Sequence, residues 1–343
     1  MEKITVVVPI YNVEKYLRKC FDSLLDQTFE EYVIYAVNDG SPDNSKVIID
    51  EYASKYPNKI IAIDKENGGY GSVLQLAISK MKSPYFLICD PDDYLDKNTL
   101  SNLYDLASLS DADITIGAKY FIYEGSDDKD YDYAYNREFT TLKPNFVYNH
   151  NTKAYDDILF VDPSPHSKLY KTKVAKNISF VNKVGYTDNM LFYLSYLNSN
   201  KIIYSDKPYA YYLVDRKGNT MTDVRPKAIS AHVSVFKEIV NQHNKERASD
   251  MFYYRMFESF KFIVEQVKRV DGSYDDVSLV IDELYTFLEK LIPYKPRIKK
   301  EYKKHSNAQI IERMKDMRLL DKKASTTEFN RLKNRLLLKY QDK

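Results

Sequence analysis

Short β-branched runs alternate with helix-spaced segments from residue 4 to about residue 118, and that order leaves few folds open. It is the pattern of βαβ units on a mostly parallel sheet. Ile4–Val8 reads as a buried strand, followed by a helix with Tyr16, Leu17, Cys20, Phe21, Leu24 and Leu25 on one face. Tyr32–Val37, Ile60–Ile63, Tyr85–Cys89 and Asp113–Ala118 read as further strands. Helices are expected through Val47, Ile48 and Tyr52, over Gly71–Met81 and over Leu95–Ala107.

The pattern lapses between Phe121 and Tyr155, a Tyr- and Asp-rich stretch expected to form a loop or lid. It resumes with a helix at Asp188–Leu197 and strands at Lys201–Tyr204 and Tyr209–Val214. From about Arg225 the chain reads as helical, with candidates at Phe252–Val270, Asp276–Leu291, Ala308–Met317 and Thr327–Tyr340.

Apolar residues at 44% and charged residues at 29% fit a folded protein, and a net charge of +2 argues against a nucleic-acid binder. That balance hides a basic tail: Tyr294–Lys343 holds 16 Lys/Arg against 6 Asp/Glu. Solvated helix faces account for such a tail, as does attraction to an anionic membrane surface or an acidic partner. Cys20 and Cys89 lie in apolar contexts and read as reduced core thiols. The start of the chain lacks the length and cleavage site of a leader, and no run reaches the ~18 apolar residues of a membrane span. The expected location is cytoplasmic, with peripheral contact at the inner membrane face as a further option.

Chemistry concentrates where strands end. Asp90-Pro-Asp-Asp93 follows the fourth strand, at the carboxyl edge where open α/β sheets bind ligands. Asp90 and Asp92 can both reach one hard cation that neutralises a departing diphosphate. The first strand runs into Pro9-Ile-Tyr-Asn12 and the second into Asp39-Gly-Ser41, on the same edge. Asp39 could accept the N3–H of a pyrimidine and Tyr11 could lie against its ring, although turn chemistry and aromatic packing explain each alone. Glu66-Asn-Gly-Gly-Tyr-Gly71 opens a helix and allows close backbone approach to a ribose or phosphate.

The series Val7–Asn12, Asn38–Ser41, Glu66–Gly69 and Asp90–Asp93 resembles glycosyltransferase family 2 in order and spacing. The resemblance is strong over about 3–110 and weaker over 160–222. It implies a GT-A domain at 1–222, its nucleotide-binding part about 1–118 and its acceptor-side part about 119–222, with a helical region at 223–343. It implies inverting transfer of a hexose or N-acetylhexosamine from a UDP-sugar to a hydroxyl of a glycan, glycoprotein or lipid-linked acceptor. By resemblance, Pro9, Tyr11 and Asn12 border the uracil, Asp39 takes its imide hydrogen, and Asn67 and Gly68 lie near the nucleotide. Asp90 approaches the ribose, and Asp92 holds Mn²⁺ or Mg²⁺.

The family usually supplies its base from a Glu-Asp pair. Here Asp188 matches the Asp but Thr187 replaces the Glu. Asp188 is therefore expected as the general base, although an Asp opening a helix is also a good cap. Pro165-His-Ser-Lys-Leu-Tyr170 departs from an aromatic-Asn-Lys-Leu-Tyr run, leaving His166 and Lys168 as acceptor or donor contacts, or His166 as polar packing. Arg216, in Tyr211–Thr220, is expected to pair with diphosphate oxygens or to form a surface ion pair. The missing Glu and the basic tail keep open a non-catalytic partner subunit of another glycosyltransferase. A nucleotidyltransferase would need a glycine-rich loop that Pro9–Glu14 lacks.

Overall fold

β1 (Ile4–Ile10) is buried along its whole length, as a strand covered by helices on both faces must be. The structure, a computed structural model, describes residues 2–216, 225–305 and 310–340, with backbone alone at 310–313. Two compact units divide the chain, Met1–Asn219 and Thr220–Lys343.

In the first unit β1 leads to α1 (Glu14–Leu25), whose Leu17, Cys20, Phe21 and Leu24 are buried at helical spacing. There follow β2 (Tyr32–Asn38), α2 (Ser45–Lys55), β3 (Ile60–Asp64), α3 (Tyr70–Lys80) and β4 (Tyr85–Ile88). Next come β5 (Tyr94–Leu95), α4 (Thr99–Ser110), β6 (Ile114–Ile122), β7 (Lys129–Asp132) and β8 (Val147–Asn149). A 3₁₀ segment at Lys153–Phe160 precedes β9 (Lys168–Lys171), α5 (Thr172–Ala175), α6 (Asp188–Asn198) and β10 (Lys201–Leu213).

The sheet order is β3-β2-β1-β4-β9-β6-β10-β5. β1–β4 are parallel, and β6 and β10 share their direction. β9 is inserted antiparallel between β4 and β6, while β5, β7 and β8 are antiparallel additions. The fold is thus GT-A: a mixed α/β sheet flanked by helices, with a helical region beyond it. The ends of β1, β2, β3 and β4 emerge on one edge. Cys20 and Cys89 are free thiols in the core.

Two expectations need correction. The stretch at 121–155 is no featureless loop: it pairs β7 with β6 and β8 with β10. These strands are short, and β7, Lys-Asp-Tyr-Asp, is largely exposed, so no apolar alternation marks it. The two strands expected at 201–214 are one, β10, with register shifts around Pro208. Proline lacks the ladder donor, and the irregularity absorbs it.

The second unit holds α7 (Pro226–Gln242), α8 (Asp250–Val267), α9 (Tyr274–Leu291), α10 (Lys295–His305), α11 (Ile310–Leu319) and α12 (Ser325–Leu337). Proline opens α7 at a position where its missing N–H is harmless. Ser249 and Ser273 cap α8 and α9, accepting the N–H groups of Phe252 and Asp276. Phe236, Ile239, Phe257, Phe260, Ile281 and Leu284 are among the buried residues of this unit. Among the described residues, no helix is long and apolar enough to cross a membrane.

Candidate active site

The site is assembled from turns stitched to one another. Asn12, at φ 56°, donates its N–H to Ser41 Oγ at 2.7 Å, tying the turn after β1 to the turn after β2. Pro9 is buried in β1, whereas Tyr11 is half exposed at the rim. Asp39 is buried, and its carboxylate accepts the N–H groups of Gly68 (2.9 Å) and Gly69 (2.8 Å) and the Lys65 ammonium (2.5 Å). That binds the second turn to the third. Gly69 needs its freedom: φ is +80°, and a Cβ there would meet the Lys183 backbone at 3.1 Å. Asn67 remains exposed beside Gly68.

Tyr70, the next residue, donates its hydroxyl to Asp90 at 2.9 Å, and so the third turn reaches the fourth. Burial, reinforced by Asp93 and Asp92, pushes the Asp90 carboxyl up to about 7. Asp92 is ion-paired with Arg216 Nε. Lys217–Thr220, the remainder of that tyrosine-rich stretch, lie outside the described residues.

Asp93 faces inward. One oxygen accepts the Leu213 N–H at 2.8 Å, and the other lies 2.5 Å from His166 Nε2. Burial disfavours both the imidazolium and the carboxylate, taking His166 down to about 4 and Asp93 well above its usual range. The His166 ring stacks on Tyr212 at 4.1 Å between centroids. His166 therefore braces the Asp93 turn against the end of β10.

Lys168 is fully buried in β9 and donates to the Ser164 carbonyl at 2.6 Å, with burial lowering its ammonium to about 7. Nearby, the buried Lys119 pairs with Asp162 at 2.5 Å and Asp132 at 3.1 Å. Asp188 opens α6. Burial, then Asp162, raises its carboxyl to about 6, and it lies close enough to Tyr70, Lys168 and Tyr170 to act on each electrostatically. It thus shares Tyr70 as a neighbour with Asp90.

Thr187 is fully buried, and its methyl would lie 3.1 Å from a Cβ placed on Gly71. The same Cβ would sit 2.4 Å from the Val181 carbonyl, so only glycine lets the 181–187 segment pack on the start of α3. Position 187 therefore faces protein.

The structure joins Asn12, Asp39, Gly68, Asp90, Asp92, His166 and Arg216 through these turns, with Asp188 and Lys168 in electrostatic reach of one another, and leaves Tyr11 half exposed and Asn67 exposed. Missed were Asp93, Lys65, Tyr70, Lys119 and Asp162. Asp93 stood inside a quoted motif, and Lys65 at the end of a strand beside the glycines. Nothing local marked Lys119 and Asp162, whose pairing spans 43 residues.

Asp90, Asp93 and His166 bring ligand atoms within 4.8 Å of one another. With both Asp93 oxygens engaged inside the protein, Asp90 and Asp92, both less buried than Asp93, are the better oxygen donors for a cation. The Asp90 carboxyl is raised first by burial and then by Asp93 and Asp92, and a divalent cation held there would favour its ionised form.

The family model "Glycosyl transferase family 2" matches residues 5–179, just over half of the chain. The chain belongs to glycosyl transferase family 2. Among curated family-2 relatives, it is 29% identical over 323 residues to Glycosyltransferase GlyA of Streptococcus pneumoniae serotype 4, covering 85% of this chain and 45% of GlyA. It is 28% identical over 228 residues to the poly(ribitol-phosphate) beta-N-acetylglucosaminyltransferase TarS of Staphylococcus aureus, covering 65% and 37%. This family-2 chain thus spans less than half the length of either relative. The crystal structure of S. aureus TarS 1–349 with UDP-GlcNAc superposes with a TM-score of 0.71 at 20% identity, over 100% of this chain and 92% of that one. The mannosyltransferase PcManGT of Pyrobaculum calidifontis, in complex with GDP-Man and Mn²⁺, follows at 0.54 and 14%, over 99% and 88%.

Proposed function

We propose that this chain is an inverting glycosyltransferase that moves a hexose or N-acetylhexosamine from a UDP-sugar to a hydroxyl of a polyol-phosphate surface polymer. The observation that carries the reading is the linkage of four strand-end turns through Asp39, Tyr70 and Asp90, with Asp188 bordering the same tyrosine. The donor class is supported by the TarS complex with UDP-GlcNAc, and the acceptor class by the printed names of relatives that work on poly(ribitol-phosphate).

Tyr11 and Asn12 border the base, and Asp39 presents its carboxylate to the imide hydrogen while holding the Gly68–Gly69 amides in place. Asn67 and Gly68 approach the nucleotide, and Asp90 the ribose. The acceptor oxygen attacks the anomeric carbon opposite the leaving diphosphate, the bond from that carbon to UDP breaks, and Asp188 takes the hydroxyl proton. Asp92, with Asp90 beside it, would hold Mn²⁺ or Mg²⁺, which supplies positive charge to the diphosphate oxygens. Arg216, now on Asp92, is placed to exchange that carboxylate for phosphate oxygen.

The deciding experiment is a screen of UDP-Glc, UDP-Gal, UDP-GlcNAc and UDP-GalNAc for Mn²⁺-dependent release of UDP. An Asp92→Ala protein with undiminished turnover would remove the metal role, and an equally active Asp188→Ala would remove the base. Of the two grounds for the partner-subunit alternative, the absent Glu and the basic tail, the first is weakened because position 187 faces Gly71 inside the protein.

A further inference from the structure

The second unit contains a groove of about 1230 Å³, lined by α8, α11, α12 and the residues just after α12. Phe260, Val264, Leu332 and Leu336, all buried, contribute its apolar floor. Seven lysines and arginines line it against three carboxylates. The acids are already engaged: Glu328 by Arg318 and Arg331, Asp316 by Lys261, and Glu265 by Lys268. Lys315 and Arg335 are exposed and form no ion pair among the described residues. A concave wall of low polarity strengthens the field of such cations.

The geometry points to this groove, within the second unit, as a binding site for a phosphodiester-linked polyol chain, the acceptor polymer. The inference rests on the acceptor class proposed above. The volume exceeds the roughly 300–1,000 Å³ of small-molecule pockets, so several repeat units fit. Phosphate is favoured over carboxylate because Arg335, which forms no ion pair among the described residues, offers a planar fork that matches phosphate oxygens two at a time. A lipid bilayer is disfavoured because the apolar residues form the floor of a recess, whereas helices that lie on membranes present theirs outward. A charged chain instead threads the recess, its phosphates at the rim and its carbon backbone over Leu332 and Leu336.

The test uses the full chain, with synthetic poly(glycerol phosphate) as probe in titration calorimetry. UDP with Mn²⁺ is titrated separately to report on the nucleotide site. Binding of the polymer is expected to weaken with added salt, and about tenfold in Lys315→Glu/Arg335→Glu. The double variant should keep the parent's melting temperature and UDP affinity, since both side chains are exposed. Equal polymer binding by parent and variant overturns the assignment, as does absence of polymer binding. Tighter binding to polyglutamate of matched charge overturns the phosphate preference, and binding only to phosphatidylserine vesicles replaces the polymer with a membrane. Failure of UDP to bind counts against the proposed function alone.

Discussion

The amide of Gly69 donates to Asp39 Oδ2 at 2.8 Å across 30 residues of chain, and Gly68 donates to the other oxygen of the same carboxylate. One side chain thus holds both amides of the glycine turn, whose carbonyls are held in turn by Lys183 and the start of α3. Asp39→Ala is expected to cost about 1–3 kcal/mol of stability, because two amides and the Lys65 ammonium lose their acceptor. UDP affinity should fall with it. Thermal melts and calorimetry on the same preparation check both, and unchanged UDP binding would refute the role at the base.

As the proposed base, Asp188 should set the pH dependence. Its carboxyl is raised to about 6 by burial and by Asp162, with His166 opposing, and Lys168, Tyr70 and Tyr170 also face it. A base must be ionised, so kcat/KM should rise about tenfold per pH unit below 6 and level off above it. Asp188→Asn should lower kcat by about 10²–10⁴-fold and flatten that limb while UDP still binds. Stability moves the other way. A carboxyl raised from 3.8 to about 6 holds its proton longer when folded, so its contribution is lost as pH rises through that window. Near neutrality, Asp188→Asn should therefore be more stable than the parent, by up to about 3 kcal/mol.

Restoring the usual family acid at position 187 should do harm. Thr187 is fully buried against Gly71, and a carboxylate there would be buried one residue from the Asp188 carboxylate, in a spot now filled by a methyl. Thr187→Glu is expected to lose about 2–5 kcal/mol with no gain in turnover. Chemical denaturation beside a UDP-release assay decides it, and a faster enzyme would restore the view that the chain lacks a catalytic residue.

Asp162 answers two buried ammonium groups at once, bonded to Lys119 and acting on Lys168 from nearby. Its own carboxylate is 42% exposed, and Asp132 remains to pair with Lys119, so Asp162→Asn should cost about 1–3 kcal/mol, below the full price of breaking a buried pair. The Lys168 ammonium should also titrate lower, readable by NMR of the labelled lysine.

Much of this was legible in the sequence because it is local. The strands β1, β2 and β4 announce themselves by near-continuous apolar burial and β3 by its apolar run, and their end turns by Asp, Asn and Gly at positions no strand interior would choose. What escaped is non-local or thin. β9 slips between β4 and β6 on four residues, Lys-Leu-Tyr-Lys, whose pairing only the folded chain reveals. α10 buries just Ile298, Glu301 and Tyr302 among its charges, too narrow a stripe to read as a helix. The inward turn of Asp93 was invisible because its partners, His166 and Leu213, lie 73 and 120 residues away.

Lys183 donates its N–H to the Gly68 carbonyl at 2.6 Å, and five residues later the chain delivers Asp188. The strap carrying the proposed base is thus hung from the same bend that the proposed function sets beside the donor's nucleoside. On that proposal, altering residues 65–69 to change donor preference should also shift the height of Asp188, so selectivity and speed would not be tuned as separate dials.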